Sequence, residues 1–501
     1  MSTEAPLINK QPSDVVDSVA MSTTHSEAGS SRTLRSRLLS GAFWSTLGRI
    51  CSVGALFATE ICMGRTLSVS DCAAYFAVSA FVVLLATGVL FGTPQIVIRA
   101  IKDNLKNGNT EDSRTVVRKC FAAITITSAI ALAIAIMSSY AVGDEPKWRA
   151  VRELSLLVGI WACCSAACQI AAGVLQALDD FRSAVLIGAR QGGVVANSLF
   201  LVISLLAYQA GYLSLGFALV LQVLLNATAL IIAWWLIERA LNNNQERCRT
   251  ATDMPTTTHL PQRTNYSVRW ILQESWPNFL VQMTSMNIVY IQVLVLGWLA
   301  TARSTADYYA VLRLVSLVQV AQLLVVATLG PFIAELLASN RIKQLERIMR
   351  GVATLVAIPT LLATLVLVVF PKTVIHLTFG DDFVGAALAL QIVAVGTAIS
   401  VITGCNSVAM VMGGYQSLLM RISLLAFVVH FLLIVPMIDK WDIVGAALAA
   451  TIVYGIYNLY VTFLVKRNLG FWSYPSLSPQ AIRETFRALT QRRNKPESHP
   501  A

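Results

Sequence analysis

The chain has 501 residues, is 56% hydrophobic and only 13% charged, and has a mean hydropathy of +0.65. Soluble domains carry about a quarter of their residues as charge, so these values exclude a soluble globular protein and indicate a membrane protein with many spans. The net charge of +11 fits basic loops gathered on one membrane face. No basic motif with interleaved aromatics is present, which argues against a nucleic-acid partner.

Residues 1–38 are polar and Ser/Thr-rich and end in Arg32, Arg35 and Arg37. They contain no apolar stretch of the kind that marks a cleavable signal, so a disordered cytoplasmic tail is expected. Twelve apolar segments follow, at roughly 41–64, 73–98, 120–142, 153–177, 184–208, 213–237, 275–300, 306–334, 351–375, 385–412, 418–437 and 442–465. Residues 238–270 form the one long polar interruption and divide the spans six and six. The expected organisation is a tail (1–38), a six-helix bundle (39–237), a cytoplasmic linker (238–270), a second six-helix bundle (271–466) and a basic tail (467–501). In that last tail, Ile482, Phe486 and Leu489 predict a short amphipathic helix at the membrane surface. The tails and even-numbered loops, with the adjoining helix ends, hold 29 Lys and Arg. The odd-numbered loops hold 7. This bias predicts twelve spans with both termini cytoplasmic.

The first span, GAFWSTLGRICSVGALFATEICMGR (41–65), carries Arg49 and Glu60 inside an apolar helix. Their separation returns them to nearly one helical face, which Ser45 and Ser52 share with Arg49. A charge at the centre of a membrane helix costs about 2.5–3.5 kcal/mol on insertion scales, so the stripe should face protein or water. It recurs 233 positions later, where Ser45, Arg49 and Ser52 map onto Asn278, Gln282 and Ser285. Gly64 maps onto Gly297, and Ala73, Tyr75, Ala77, Val78, Val82 and Leu84 map onto Ala306, Tyr308, Ala310, Val311, Val315 and Leu317. Two halves of even span number share one orientation and are related by an axis along the membrane normal.

Pro94 and Pro331 lie near the ends of the second and eighth spans and are candidate bending points. Trp161, Trp234, Trp235, Trp298 and Trp441 near span ends read as interfacial anchors. Cys164 and Cys168 have a spacing that suits a metal, but the small-residue run around them reads as close helix packing. No metal or other cofactor is expected.

Several runs, in order, resemble the polysaccharide (O-antigen type) flippases of the multidrug/oligosaccharidyl-lipid/polysaccharide (MOP) exporter superfamily. They are GRTLSVSDCAAYFAV after the first span, WPNFL at 276–280, ADYYAVLRLVSLV at 306–318, VVFPKTVIHLTFGDDFVGAALALQIVAVG at 368–396 and WDIVGAALAATIVYGIYN at 441–458. Ala74 stands where that family usually has glycine. The resemblance implies an all-α protein of about twelve transmembrane helices in two bundles around a cationic cavity. It also implies flipping of an undecaprenyl-diphosphate-linked oligosaccharide from the cytoplasmic to the periplasmic leaflet of a bacterial inner membrane. Membrane lipids are its surroundings, and polysaccharide polymerase machinery is a candidate partner.

Under that resemblance, Arg49 and Arg313 are the expected diphosphate ligands, because guanidinium binds phosphate oxygens in a two-pronged way. Gln282, Asn278, Ser285, Ser45 and Ser52 are candidate sugar contacts. Glu60 is the candidate ion-coupling carboxylate; pairing with Arg49 or Arg65 is its alternative. For Arg313 the alternative is pairing with Asp307 or a carbonyl. Two other functions compete. A drug/cation antiporter of the same superfamily would favour acidic cavity residues. A membrane glycosyl polymerase or ligase needs a sizeable external loop, whereas the longest predicted one is short (143–152). No P-loop or paired-carboxylate motif appears, so the chain is not expected to be an enzyme.

Overall fold

A computed structural model describes residues 47–48, 50–106, 110–141, 148, 152–188, 193–250, 267–286, 288–320, 322, 333, 336–337, 341–404 and 406–475. Among these the regular structure is helical throughout. The elements are α1 (50–66), α2 (Val69–Leu90), α3 (Thr93–Lys106), α4 (Thr110–Ala141), α5 (Ser155–Ala177), α6 (Phe181–Ile187), α7 (Val194–Gln209) and α8 (Leu215–Thr250). After them come α9 (Val268–Val281), a π-helical turn (Gln282–Met286), α10 (Ile288–Leu299), α11 (Ala302–Val318), α12 (Ile342–Val369) and α13 (Pro371–Thr378). A 3-10 turn (Asp381–Ala386), α14 (Ala387–Ile402), α15 (Asn406–Met412) and α16 (Gln416–Leu469) complete the order.

Seven described helices are long and apolar enough to cross a membrane, or eight with the bent pair around the π turn. Of the other predicted spans, the first and the eighth are described only in part, as α1 (50–66) and α11 (Ala302–Val318). The fifth is split into α6 and α7 around Gly188 and Gly193, where Gly193 lies so close to α6 that a Cβ would stand 2.1 Å from the Leu186 carbonyl oxygen. The last two predicted spans form one run, α16, reversed at Asp442 (φ 50°, ψ −128°). Gly445 packs against the Met437 carbonyl there, where a Cβ would lie 1.8 Å from the oxygen.

Pro94 is not a kink inside the second span. That span ends at Leu90, with Phe91 and Gly92 at positive φ (46° and 73°), and Pro94 sits in the first turn of α3. There its missing N–H leaves no backbone partner unmet. Pro331 lies outside the described residues. Helix α8 runs past the predicted span to Thr250, so residues 238–250 are helical. The rest of the polar stretch to 266, the first 46 residues and the predicted amphipathic helix lie outside the described residues.

Helix α2 is the most enclosed span, whereas α8 and α16 are the most exposed. Ile126, Ile130, Ile134 and Met137 form an exposed apolar stripe on α4, and Leu355, Ile358, Leu362 and Leu365 form one on α12. Such stripes suit a hydrocarbon surround. Of the five tryptophans expected as anchors, Trp161 is buried, while Trp234, Trp235, Trp298 and Trp441 are exposed.

Helix α5 packs against α2, α3, α4 and α8, while α14 packs against α11, α12 and α16. These two groups meet where α2 lies along α10 and α11, and where α9 lies against α3 and α4. The 233-residue offset is visible in this geometry. Ser68 caps α2 by accepting from the Asp71 amide (3.2 Å), and Thr301 caps α11 by accepting from the Ser304 amide (3.1 Å). Such caps satisfy amides that the first helical turn leaves without partners. Gly64 lies under the ring of Phe379, and Gly297 lies under that of Trp148.

Candidate functional site: a buried ion pair at a helix seam

The best-defined polar cluster lies where α1 meets α11. Arg313 Nε stands 2.8 Å from Glu60 Oε1, with side-chain exposures of only 10% and 4%. Tyr309, one turn before Arg313, donates its hydroxyl hydrogen to the same Glu60 oxygen at 3.0 Å. That hydroxyl also accepts a hydrogen bond from an Arg313 terminal nitrogen. Residues four apart on a helix share a face, so Tyr309 and Arg313 reach Glu60 together. Phe76 of α2 stacks on Tyr309 (4.1 Å between ring centroids), which fixes the phenol. The guanidinium carbon lies 4.7 Å from the Tyr309 ring centroid and 5.9 Å from that of Tyr290. Glu60 Oε2 is buried and has no hydrogen-bond partner among the described residues.

Burying these charges is expensive unless they are paired, and the attraction between them offsets the desolvation only when the geometry is good. The arrangement therefore ties α1 to α11 while it stays closed. Near the same helix ends, Arg65 donates Nε to the Thr378 carbonyl (2.7 Å) and a terminal nitrogen to the carbonyls of His376 (3.3 Å) and Leu377. These carbonyls close α13, where a cation is favoured by the helix dipole. Phe57 and Phe383 pack around Phe379 (6.4 and 5.5 Å). At the opposite end of α2, Phe91 stacks on Phe279 (4.6 Å) and packs against Trp276 (5.6 Å). Gly92 there approaches the Ser275 carbonyl so closely that a Cβ would stand 2.6 Å from its oxygen.

A second buried network links α10, α11 and α16. Tyr308 donates its hydroxyl to Gln292 Oε1 (2.9 Å), which leaves the Gln292 amide nitrogen 2.9 Å from His430 Nε2.

Of the residues expected from sequence, Glu60 and Arg313 are brought together. Arg313 forms its ion pair with Glu60 rather than with Asp307. Arg65 contacts carbonyls rather than Glu60. Ser52 is half-buried on α1, and Asn278 is half-buried on α9 beside Gly92. Gln282 and Ser285 fall in the π-helical turn that breaks the seventh span. Ser45 and Arg49 lie outside the described residues. Cys168 is buried with its thiol 3.5 Å from the Asn226 carbonyl, and Cys164 is half-buried. Tyr309, Gln292 and Tyr308 were not anticipated from the sequence. One signal was available: the repeat places Val293 opposite Glu60 and Ala80 opposite Arg313, so each half holds one charge that its counterpart lacks.

The sequence matches the polysaccharide biosynthesis protein family over residues 38–337, more than half of the chain. No curated protein matches it. Among solved structures, the lipid II flippase MurJ in an inward closed conformation aligns with a TM-score of 0.63 at 13% identity, covering 90% of this chain and 91% of that one. An inward-facing multidrug resistance transporter of the MATE family, in the MOP superfamily, aligns with a TM-score of 0.60 at 15% identity over 85% and 98% of the two chains. A MOP superfamily transporter from Pyrococcus furiosus, described as having a binding pocket of reverse polarity, aligns with a TM-score of 0.58 at 14% identity over 86% and 95%. At these identities the likeness establishes the fold: an all-α membrane protein of the twelve-helix transporter type. The chain belongs to the polysaccharide biosynthesis protein family.

Proposed function

We propose that the protein flips an undecaprenyl-diphosphate-linked oligosaccharide from the cytoplasmic to the periplasmic leaflet during polysaccharide assembly, of the O-antigen or exopolysaccharide type. It works by alternating access between bundles 39–237 and 271–466, with both termini cytoplasmic in a bacterial inner membrane. The observation that carries this reading is Arg313, a buried guanidinium at the junction of α1 and α11, in a chain of this family. A diphosphate cannot cross hydrocarbon unaided, and a desolvated guanidinium is well suited to hold one.

In this reading Arg49 supplies a second cation from α1's side. Asn278, Gln282, Ser285, Ser45 and Ser52 meet sugar hydroxyls along the stripe. Glu60 is the carboxylate through which an ion gradient acts, and the delivered lipid-linked sugar passes to polymerase machinery. The broken seventh span supports the assignment of Gln282 and Ser285, because irregular backbone at membrane depth is tolerated where it is buried in protein or lines a water-filled cavity. The test is leaflet-resolved appearance of an undecaprenyl-diphosphate oligosaccharide in proteoliposomes. Wild type is expected to flip it, and Arg49→Ala and Arg313→Ala, each verified as folded, are expected to lose at least tenfold in rate. Flipping that survives both changes removes the site assignment.

A further inference from the structure

The position of Glu60 has a consequence for how a diphosphate reaches Arg313, given the flippase reading above. We propose that Glu60 is an internal counter-ion which the substrate's diphosphate displaces, so that loading the arginine and unlocking α1 from α11 are one event.

Three observations support this. First, Glu60 holds the guanidinium with a single oxygen: Oε1 meets both Arg313 Nε and the Tyr309 hydroxyl, and Oε2 is buried without a hydrogen-bond partner among the described residues. A half-satisfied buried carboxylate is a poor occupant, because the unmet oxygen has lost its water without gaining a donor. A diphosphate offers several oxygens to the same fork. Second, the arginine is the fixed partner. Its guanidinium lies beside the Tyr309 ring, and Tyr309 is clamped by Phe76, so the cation and the phenol stay in place while the carboxylate leaves. On exchange the Tyr309 hydroxyl turns its hydrogen from Glu60 to a phosphate oxygen. Third, Glu60 and Arg313 sit on helices from opposite sides of the polar stretch 238–270, in the seam that Arg65 and Phe379 also close. Separating α1 from α11 breaks the pair. A site that has just received an anion no longer needs Glu60, whereas an empty site does. Opening without substrate would take the paired carboxylate away from the buried guanidinium, which ties movement to cargo.

The experiment is equilibrium binding of undecaprenyl diphosphate to the full-length protein in nanodiscs, with undecaprenol as the neutral control. Wild type, Glu60→Gln, Glu60→Asp, Arg313→Gln and the double variant Glu60→Gln/Arg313→Gln are compared after each elutes as a folded species. Glu60→Gln is expected to bind about tenfold tighter than wild type, within the coupling range of contacting residues. Glu60→Asp, whose shorter side chain retracts from the guanidinium, is expected to bind tighter by a smaller factor and serves if the glutamine variant does not fold. Arg313→Gln and the double variant are expected to bind equally weakly, because without the arginine there is nothing to compete for. Wild-type binding that depends on Arg313 but is unchanged or weakened in both Glu60 variants overturns the counter-ion role and leaves the flippase reading standing. Absence of any binding above the undecaprenol control overturns both.

Discussion

Replacing Glu60 with glutamine removes one charge of a buried pair while nearly keeping its volume. Arg313 is then left with a side-chain exposure of 10%, beside a phenol and an uncharged amide. Breaking a buried ion pair from one side typically destabilises by about 3–5 kcal/mol, because the remaining charge stays desolvated. Arg313→Gln strands the carboxylate in the same way. The double variant removes both charges, so its loss should be smaller than the sum of the singles by about 2–3 kcal/mol. Equilibrium unfolding of the four proteins in mixed micelles, followed by tryptophan fluorescence, gives the cycle. Single variants within about 0.5 kcal/mol of wild type, or a double variant whose loss equals the sum of the singles, would refute the pairing as an energetic lock.

Other features of the seam make separate predictions. Arg65→Ala removes donors from three carbonyls at the end of α13. Because Arg65 is exposed, the loss should be about 1 kcal/mol, seen as roughly fivefold faster amide exchange within Pro371–Thr378 and not in α14. Gly64→Leu drives a side chain into Phe379, whose Cδ1 lies 2.8 Å from the position a Cβ would take, and should destabilise by about 1–3 kcal/mol. Gly88→Ala, on the adjoining helix, meets nothing within 4 Å and should be neutral or stabilising by up to about 1 kcal/mol. Equal losses from the two glycine changes would contradict close packing at Gly64. Gln292→Leu leaves the Tyr308 hydroxyl and His430 Nε2 facing an apolar group, a loss of about 1–3 kcal/mol in the same unfolding assay.

The spans were legible because hydrocarbon contact selects long apolar runs, and that selection does not depend on neighbours. Their ends were less legible. Helix α4 begins at Thr110, α8 continues to Thr250 and α12 begins at Ile342, each outside its apolar segment. Hydropathy reports only the stretch that meets lipid, while backbone hydrogen bonding carries a helix on into polar sequence. The breaks were legible only as glycines and prolines without positions. Gly92 ends α2 because α9 crosses it within contact of the Ser275 carbonyl, and that crossing is a tertiary fact. Tilting of the seventh span at Gln282–Met286 has the same character.

The candidate site divides in the same way. Arg313 and Glu60 stood out singly, since charge within an apolar helix needs a reason. Their pairing did not stand out, because nothing local joins residues so far apart in the chain. The exchange of Glu60 for valine and of Ala80 for arginine between the halves was the one trace that sequence retained. Tyr309 gave none: a tyrosine in an apolar helix reads as packing until its hydroxyl is seen between the two charges.

The central claim is that the cargo is an anionic lipid-linked sugar. The most direct measurement presents one proteoliposome preparation with two cargoes, an undecaprenyl-diphosphate oligosaccharide and an organic cation. Leaflet-resolved detection follows the first and accumulation against an imposed proton or sodium gradient follows the second. Movement of the oligosaccharide carrier, with no gradient-driven movement of the cation, is the predicted result. Cation antiport with no flipping of the carrier would contradict it and assign the buried Glu60–Arg313 pair to a different cargo.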